Sequence, residues 1–275
     1  MVAMDNNTLI MTVINKPFAE NNSVFDLFLQ SFKTGEGTQQ LIKHLLVVTV
    51  DHTAFNRCRQ LHPHCYNLIT EGEDFSGEQF YSTPDYVKLM WRRLLFVADV
   101  LGRGYNILFT DSDILWLRNP FTRFSLDDDM QVSCDRYRGD PYDRSNDINA
   151  GFYFVRSNSK TIKLYKLWYE SRDIGFHDQD VLQKLQKKRA FQELGLRFRF
   201  LETLYFSGFC QKSTDLREVN TVHGNCCKSM KAKLADLRAA FEAWKTFMAK
   251  EHSGSKGTWP DSGICRASLK LARLP

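Results

Sequence analysis

Residues 105–117 read Tyr105-Asn106-Ile107-Leu108-Phe109-Thr110-Asp111-Ser112-Asp113-Ile114-Leu115-Trp116-Leu117. An apolar run of strand length ends in two carboxylates, and the chain then returns to apolar residues. Acid groups at the carboxyl end of a buried strand sit where the ligands of α/β sheets collect. Two aspartates spaced two apart can coordinate a hard divalent cation, directly and through water, and leave positions for diphosphate oxygens. Buried without a partner they would cost several kcal/mol. The spacing alone is unspecific, since Asp127 to Asp129 and Asp178 to Asp180 repeat it. Position leaves a metal site and a structural turn both open for Asp111 and Asp113.

Further strands are predicted over 9–14, 45–50, 130–133, 152–155 and 198–201, with 106–110 among them. Helical patterns lie between. The clearest starts at Thr83-Pro84-Asp85, a cap followed by proline, carries Val87, Met90, Trp91, Leu94, Val97, Ala98 and Leu101 on one side, and stops at Gly102 and Gly104. Others are expected over 23–32, 54–61, 160–171, 178–191 and 230–249. This alternation predicts an α/β fold, a mainly parallel central sheet with helices on both faces. One domain over 1–250 is expected, and the Gly, Ser and Pro content of 251–275 predicts a disordered tail.

With 275 residues and 43% hydrophobic content the chain can bury a sizeable core. Its 37 basic and 32 acidic residues, net +5, are dispersed and point away from a nucleic-acid partner. The Lys187-Lys188-Arg189 run reads as a solvated helix end. No stretch approaches the roughly 18 apolar residues of a membrane helix, and Asp5, Asn6 and Asn7 interrupt the amino terminus before any signal-peptide core. A soluble chain is expected. The seven cysteines lack paired C-x-x-C spacing, which disfavours zinc. Cys58 and Cys65 flank a short loop, and a disulfide or a reduced pair both suit them. Asn6-Asn7-Thr8 and Asn21-Asn22-Ser23 match the glycan acceptor pattern, which is short enough to occur by chance.

Other candidates each have a plainer reading. Asn149-Ala150-Gly151 before 152–155 would let a ligand approach the backbone and offers an amide for sugar hydroxyls, or is a tight turn. His177-Asp178-Gln179-Asp180 opens a helix, where acids ordinarily offset the dipole. In Val222-His223-Gly224-Asn225-Cys226-Cys227-Lys228 an imidazole could complete a metal shell and Lys228 could meet phosphate. Asp127-Asp128-Asp129 reads as a solvated loop.

Taken together, Thr110-Asp111-Ser112-Asp113, Asn149-Ala150-Gly151-Phe152-Tyr153, His177-Asp178-Gln179-Asp180 and His223-Gly224-Asn225-Cys226-Cys227 resemble, in this order, the plant nucleotide-diphospho-sugar transferase domain family. Leu61-His62-Pro63-His64-Cys65 and Met90-Trp91-Arg92-Arg93 extend the match, which spans about residues 5–249. The family includes cell-wall arabinosyl- and xylosyltransferases. The resemblance implies a GT-A fold, a divalent cation, usually manganese with magnesium as the substitute, and retaining transfer from a UDP-sugar in the Golgi lumen. It implies Asp111, Asp113 and His223 on the metal, with Lys228 on the diphosphate and Arg92 steadying the donor. Asn149 and Gly151 then belong to the donor-sugar loop, and Asp178 with Gln179 lies beneath the anomeric carbon. Gly224 stands where alanine is common. The function expected is metal-dependent retaining transfer of an arabinose-, xylose- or galactose-class sugar to a plant cell-wall polysaccharide or glycoprotein. The alternative is a non-catalytic sugar-nucleotide or glycan binding protein on the same scaffold.

Overall fold

The structure is a computed structural model that describes residues 2–77, 83–173, 175–250 and 256–271. The chain opens with β1 (Thr8–Ile14), α1 (Lys16–Ala19), α2 (Val24–Thr34), β2 (Leu45–Thr49), α3 (His52–Leu61) and β3 (Cys65–Asn67). The long α4 (Pro84–Gly102) leads into β4 (Asn106–Thr110) and β5 (Ile114–Trp116). Then come β6 (Met130–Arg136), β7 (Asp147–Val155), α5 (Ser159–Glu170), α6 (Asp178–Lys187), α7 (Ala190–Glu193) and β8 (Phe198–Phe200). The chain closes with β9 (Phe206–Gly208), β10 (Thr221–His223), α8 (Met230–Met248) and α9 (Gly263–Leu271).

A seven-stranded sheet runs in the order β3-β2-β1-β4-β7-β6-β8. Every pairing is parallel except the two made by β7, so the expected mainly parallel sheet is what forms. Alternate residues of the central strands bury opposite faces. Leu9, Met11, Ile107 and Phe109 pack with Trp91, Leu94 and Val97 of α4 and with Leu164, Tyr165 and Trp168 of α5. Ile10, Val47 and Leu108 pack instead with Phe25, Phe28 and Phe32 of α2 and with Ala54 and Cys58 of α3. Each Val, Leu, Ile, Phe or Met among them contributes about 1.5–3 kcal/mol through removal from water. Helices therefore cover both faces, as the alternation of patterns predicts. The α4 start also has its expected chemistry: the Thr83 hydroxyl accepts from the Tyr86 amide, and Pro84 occupies the first turn.

A second, three-stranded sheet, β5-β10-β9, stands beside the first. Its antiparallel β5–β10 pair sets His223 opposite Ile114, the residue after Asp113. Residues some 110 positions apart in sequence thereby share one end of the fold.

Four expectations are corrected. Asn149-Ala150-Gly151 lies inside β7 and not in a turn before it, because β7 begins at Asp147 and pairs with β6 through a register shift at Val132/Ser133. Asp129 is buried and does not belong to a solvated loop; it accepts from Asn158 Nδ2, from Lys160 Nζ and from the Arg197 amide. The described part of 251–275 carries α9, where a disordered tail is expected from composition. Its order is supplied from outside the segment: Cys265 is bonded to Cys227, and the Cys265 amide donates to the buried Asp236 carboxylate at 2.8 Å. The helix expected over 178–191 also divides, with Arg189 in the left-handed region at φ 68° between α6 and α7.

Cys58–Cys65, Cys210–Cys226 and Cys227–Cys265 are disulfides, and Cys134 is a buried free thiol. Among the described residues no helix is long and apolar enough to cross a membrane.

Candidate active site

A cavity of about 370 Å³ opens at the carboxyl ends of β1 and β4 and takes in Asp111, Asp113, Asp135, Asn149, Gly151 and Gln179. Backbone pairing builds its floor. The Asp111 amide donates to the Gly151 carbonyl at 2.6 Å, and the Gly224 amide to the Asp113 carbonyl at 2.9 Å. The first bond ties the end of β4 to β7; the second ties the acidic turn to the residue after β10.

Asp111, Asp113 and His223 each offer a ligand atom within 4.8 Å of the others. His223 Nε2 lies 3.2 Å from Asp113 Oδ1 and 3.9 Å from Asp111 Oδ2. Asp113 Oδ1 is buried, and the His223 imidazole is the close partner that the described residues give it. Two carboxylates and an imidazole gathered this closely fit a hard divalent cation. The Asp111 side chain is 31% exposed and Asp113 only 4%, so a ligand reaches this triad from the Asp111 side. Burial pushes the Asp111 carboxyl up to about 6, with Arg93 opposing and Asp113 adding to the shift. For Asp113 burial acts the same way, but Lys233 and His223 outweigh it and hold the carboxyl far below the carboxylate range. Burial would lower His223, and the two aspartates raise it instead.

Gly151 is required by this crowding. A Cβ there would meet His223 Cε1 at 2.5 Å, Asp111 Oδ2 at 2.6 Å and Asn149 Oδ1 at 3.0 Å. Gly224 is tight as well, since a Cβ would lie 3.0 Å from Lys233 Cγ and from Leu237 Cδ1.

The remaining residues singled out in the sequence divide. Asn149, Gly151, Asp178, Gln179 and Lys228 line the same cavity as the triad. Arg92 does not; its Nε donates to Thr70 Oγ1 at 2.9 Å, outside the cavity lining. Arg93 holds the interior place. Its Nη1 reaches Asp111 Oδ1 at 3.0 Å and its Nη2 reaches Asp178 Oδ2 at 2.7 Å, with the guanidinium over the Phe109 ring. Burial works against the Asp178 charge, but Arg93 prevails and lowers its pKa. The periodicity of α4 carries the missed signal: Arg93 falls three residues after Met90 and four before Val97, within the buried stripe.

Three more residues escape the sequence reading. Lys233 on the first turn of α8 bonds Asp113 Oδ2 at 2.6 Å. Asp135 lies beyond the expected end of its strand, and Asn225 stands inside the quoted His-Gly-Asn-Cys-Cys motif. Asp135 Oδ1 accepts from Asn149 Nδ2 and from Asn225 Nδ2, both at 2.8 Å. The disulfides Cys210–Cys226 and Cys227–Cys265 pin the two residues between Asn225 and Lys228.

The nucleotide-diphospho-sugar transferase family profile matches residues 40–237. An uncharacterized Arabidopsis thaliana protein is 44% identical over 96% of this chain and 71% of its own length. The UDP-D-xylose:L-fucose alpha-1,3-D-xylosyltransferase of Arabidopsis thaliana is 23% identical over 68% of this chain and 52% of its own length. A solved galactosyltransferase in complex with donor and acceptor sugar analogs superposes at a TM-score of 0.47 with 13% identity, covering 78% of this chain and 86% of its own.

Proposed function

We infer that this chain, which belongs to the nucleotide-diphospho-sugar transferase family and is a glycosyltransferase, moves a pentose or hexose from a UDP-sugar to a cell-wall polysaccharide or glycoprotein acceptor with retention of configuration, in a metal-dependent reaction. The observation that carries this reading is the meeting of Asp111, Asp113 and His223 within 4.8 Å on the wall of a cavity that also holds Asn149, Gly151 and Gln179. A manganese or magnesium ion on the three would supply Lewis-acid neutralisation of the charge that builds on the diphosphate as the sugar departs.

The protein's own residues do the rest. Lys228 lines the cavity beside the triad and suits the diphosphate as a point charge. Arg93 takes the place foreseen for Arg92, fixing Asp111 and Asp178 at once. Asn149, Gly151 and Gln179 border the sugar, and the missing side chain at Gly151 leaves the room that Asp111 and His223 occupy. In the transfer the C1–O bond of the donor breaks and its electron pair goes to the diphosphate oxygen. The acceptor hydroxyl oxygen bonds to C1 from the same face, and its proton passes to the departing diphosphate. Asp178 and Gln179 line the same cavity, with Asp178 tied to Arg93 and Gln179 Oε1 accepting from the Ala150 amide at 2.9 Å.

The disulfides favour an oxidising compartment, and the Golgi lumen, where such donors are used, is the location proposed. A screen of UDP-arabinofuranose, UDP-xylose and UDP-galactose with manganese, followed by nuclear magnetic resonance of the product's anomeric centre, tests the reading. UDP release with the donor's configuration kept is expected. Release of UMP would make the chain a phosphodiester-cleaving enzyme, and an inverted product would remove the retaining mechanism.

A further inference from the structure

Four aspartates line the cavity, and they differ in what balances their charge. Asp111 and Asp178 share Arg93, at 3.0 and 2.7 Å. Asp113 has Lys233 at 2.6 Å and His223 at 3.2 Å. Asp135 has no cationic group within ion-pair distance among the described residues; its hydrogen-bond partners are amides. Asn149 and Asn225 fill both lone pairs of Oδ1, whereas Oδ2 receives only a long contact from Gln179 Nε2, at 3.4 Å.

The amides themselves are oriented by the backbone. Asn149 Oδ1 accepts from the Gly151 amide, Asn225 Oδ1 from the Cys210 amide and Gln179 Oε1 from the Ala150 amide. With every carbonyl oxygen held this way, all three NH₂ groups turn toward Asp135. Gln179 Oε1 already has one of its two lone pairs on the Ala150 backbone amide, and the Asp178 carboxylate is buried against Arg93, with its other oxygen accepting from the Gln179 backbone amide at 3.0 Å.

We propose that Asp135 is the carboxylate that faces the positive charge developing on the transferred sugar, and that Gln179, Asn149 and Asn225 are positioning residues that hold it there. The proposal rests on the transferase reading above and deepens it. Asp135 forms no bond to the carbon and takes no proton; it acts as a fixed charge, which is most effective where its neighbours are preorganised and water is displaced. Its Oδ2, the least occupied oxygen, is the atom that meets the sugar ring.

The test uses the whole chain with two probes. Turnover is read as UDP release from the donor that the screen identifies. Charge complementarity is read, without turnover, as the affinity of a cationic iminosugar in the presence of UDP and manganese. Asp135→Asn, similar in shape and neutral, is expected to lower kcat by about 10²–10³-fold, as loss of one preorganised electrostatic group does, and to weaken the iminosugar strongly. Its affinities for UDP and manganese stay at wild-type level, which also reports that the variant is folded. Asp135→Ala provides the second variant: added formate restores UDP release where chloride does not, a result that a merely structural role would not give. Wild-type kcat and iminosugar affinity in Asp135→Asn would overturn the proposal and leave the transferase reading standing. If the wild type releases no UDP from any donor, the transferase reading fails and the proposal that rests on it fails with it, even where iminosugar binding depends on Asp135.

Discussion

Replacing Gly151 by alanine should disturb the triad proposed to hold the metal through a single added methyl. The new Cβ would lie 2.5 Å from His223 Cε1 and 2.6 Å from Asp111 Oδ2. Non-bonded carbons settle at about 3.5–4.0 Å, so the imidazole has to retreat by about 1 Å. Backbone conformation is no obstacle, since Gly151 is not among the glycines with positive φ. The strain falls on two of the three residues assigned to one ion. Asp111 is further restrained by its amide on the Gly151 carbonyl and by Arg93, so His223 does most of the moving. Overpacking of this kind costs about 1–3 kcal/mol of stability, and disturbed support of metal ligands weakens the metal by about 10–100-fold. Calorimetric titration with manganese, paired with thermal melting, reads both. A folded variant with undiminished manganese affinity would refute the argument that Asp111 and His223 share an ion.

Arg93→Gln leaves Asp178 buried without its cation, and loss of one partner of such a pair costs about 3–5 kcal/mol; an unchanged urea midpoint would show that Asp178 is balanced some other way. Because Arg93 lowers the Asp178 pKa from its ordinary 3.8, the pair stabilises fully above that value and is lost as pH falls through the folded pKa. Melting temperatures of the wild type should therefore drop more steeply below about pH 4 than those of Asp178→Asn, and parallel curves would contradict this. The paired change Cys227→Ser, Cys265→Ser opens a bridge of sequence separation 38, worth about 4 kcal/mol by loop closure. Limited proteolysis should then cut between α8 and α9, and resistance equal to the wild type would mean that the hydrogen bonds to Asp236 and Lys228 suffice to anchor the last helix.

How much of this was legible in the chain depends on how local each feature is. The run 106–113 shows its strand and its acids at once because a continuous apolar run of strand length ends abruptly at Asp111. The α4 start is equally open, since Thr83, Pro84 and Asp85 state a cap within three residues. Arg93 was within reach: a stripe through Met90, Leu94 and Val97 places it inside and Arg92 outside, but adjacent arginines look alike unless the helix phase is used. Asp135 was hidden by the polar end of β6, where Ser133 and Asp135 point to one face and break the apolar pattern that marks a strand. Lys233 and the order of α9 are tertiary facts. Nothing near Lys233 in sequence announces Asp113, and nothing near Cys265 announces Cys227 or Asp236. The pairing of His223 with the acidic turn was carried only by resemblance, because β5 and β10 are three residues each, too short for a periodic signal.

The most direct test of the account is the manganese dependence of UDP release by the purified wild-type chain, measured after exhaustive chelation and again after manganese is restored, with Asp113→Asn alongside. Release that vanishes on chelation, returns with manganese and stays absent in Asp113→Asn at wild-type folding is the predicted result. Undiminished release from the chelated enzyme, or from Asp113→Asn, would contradict it.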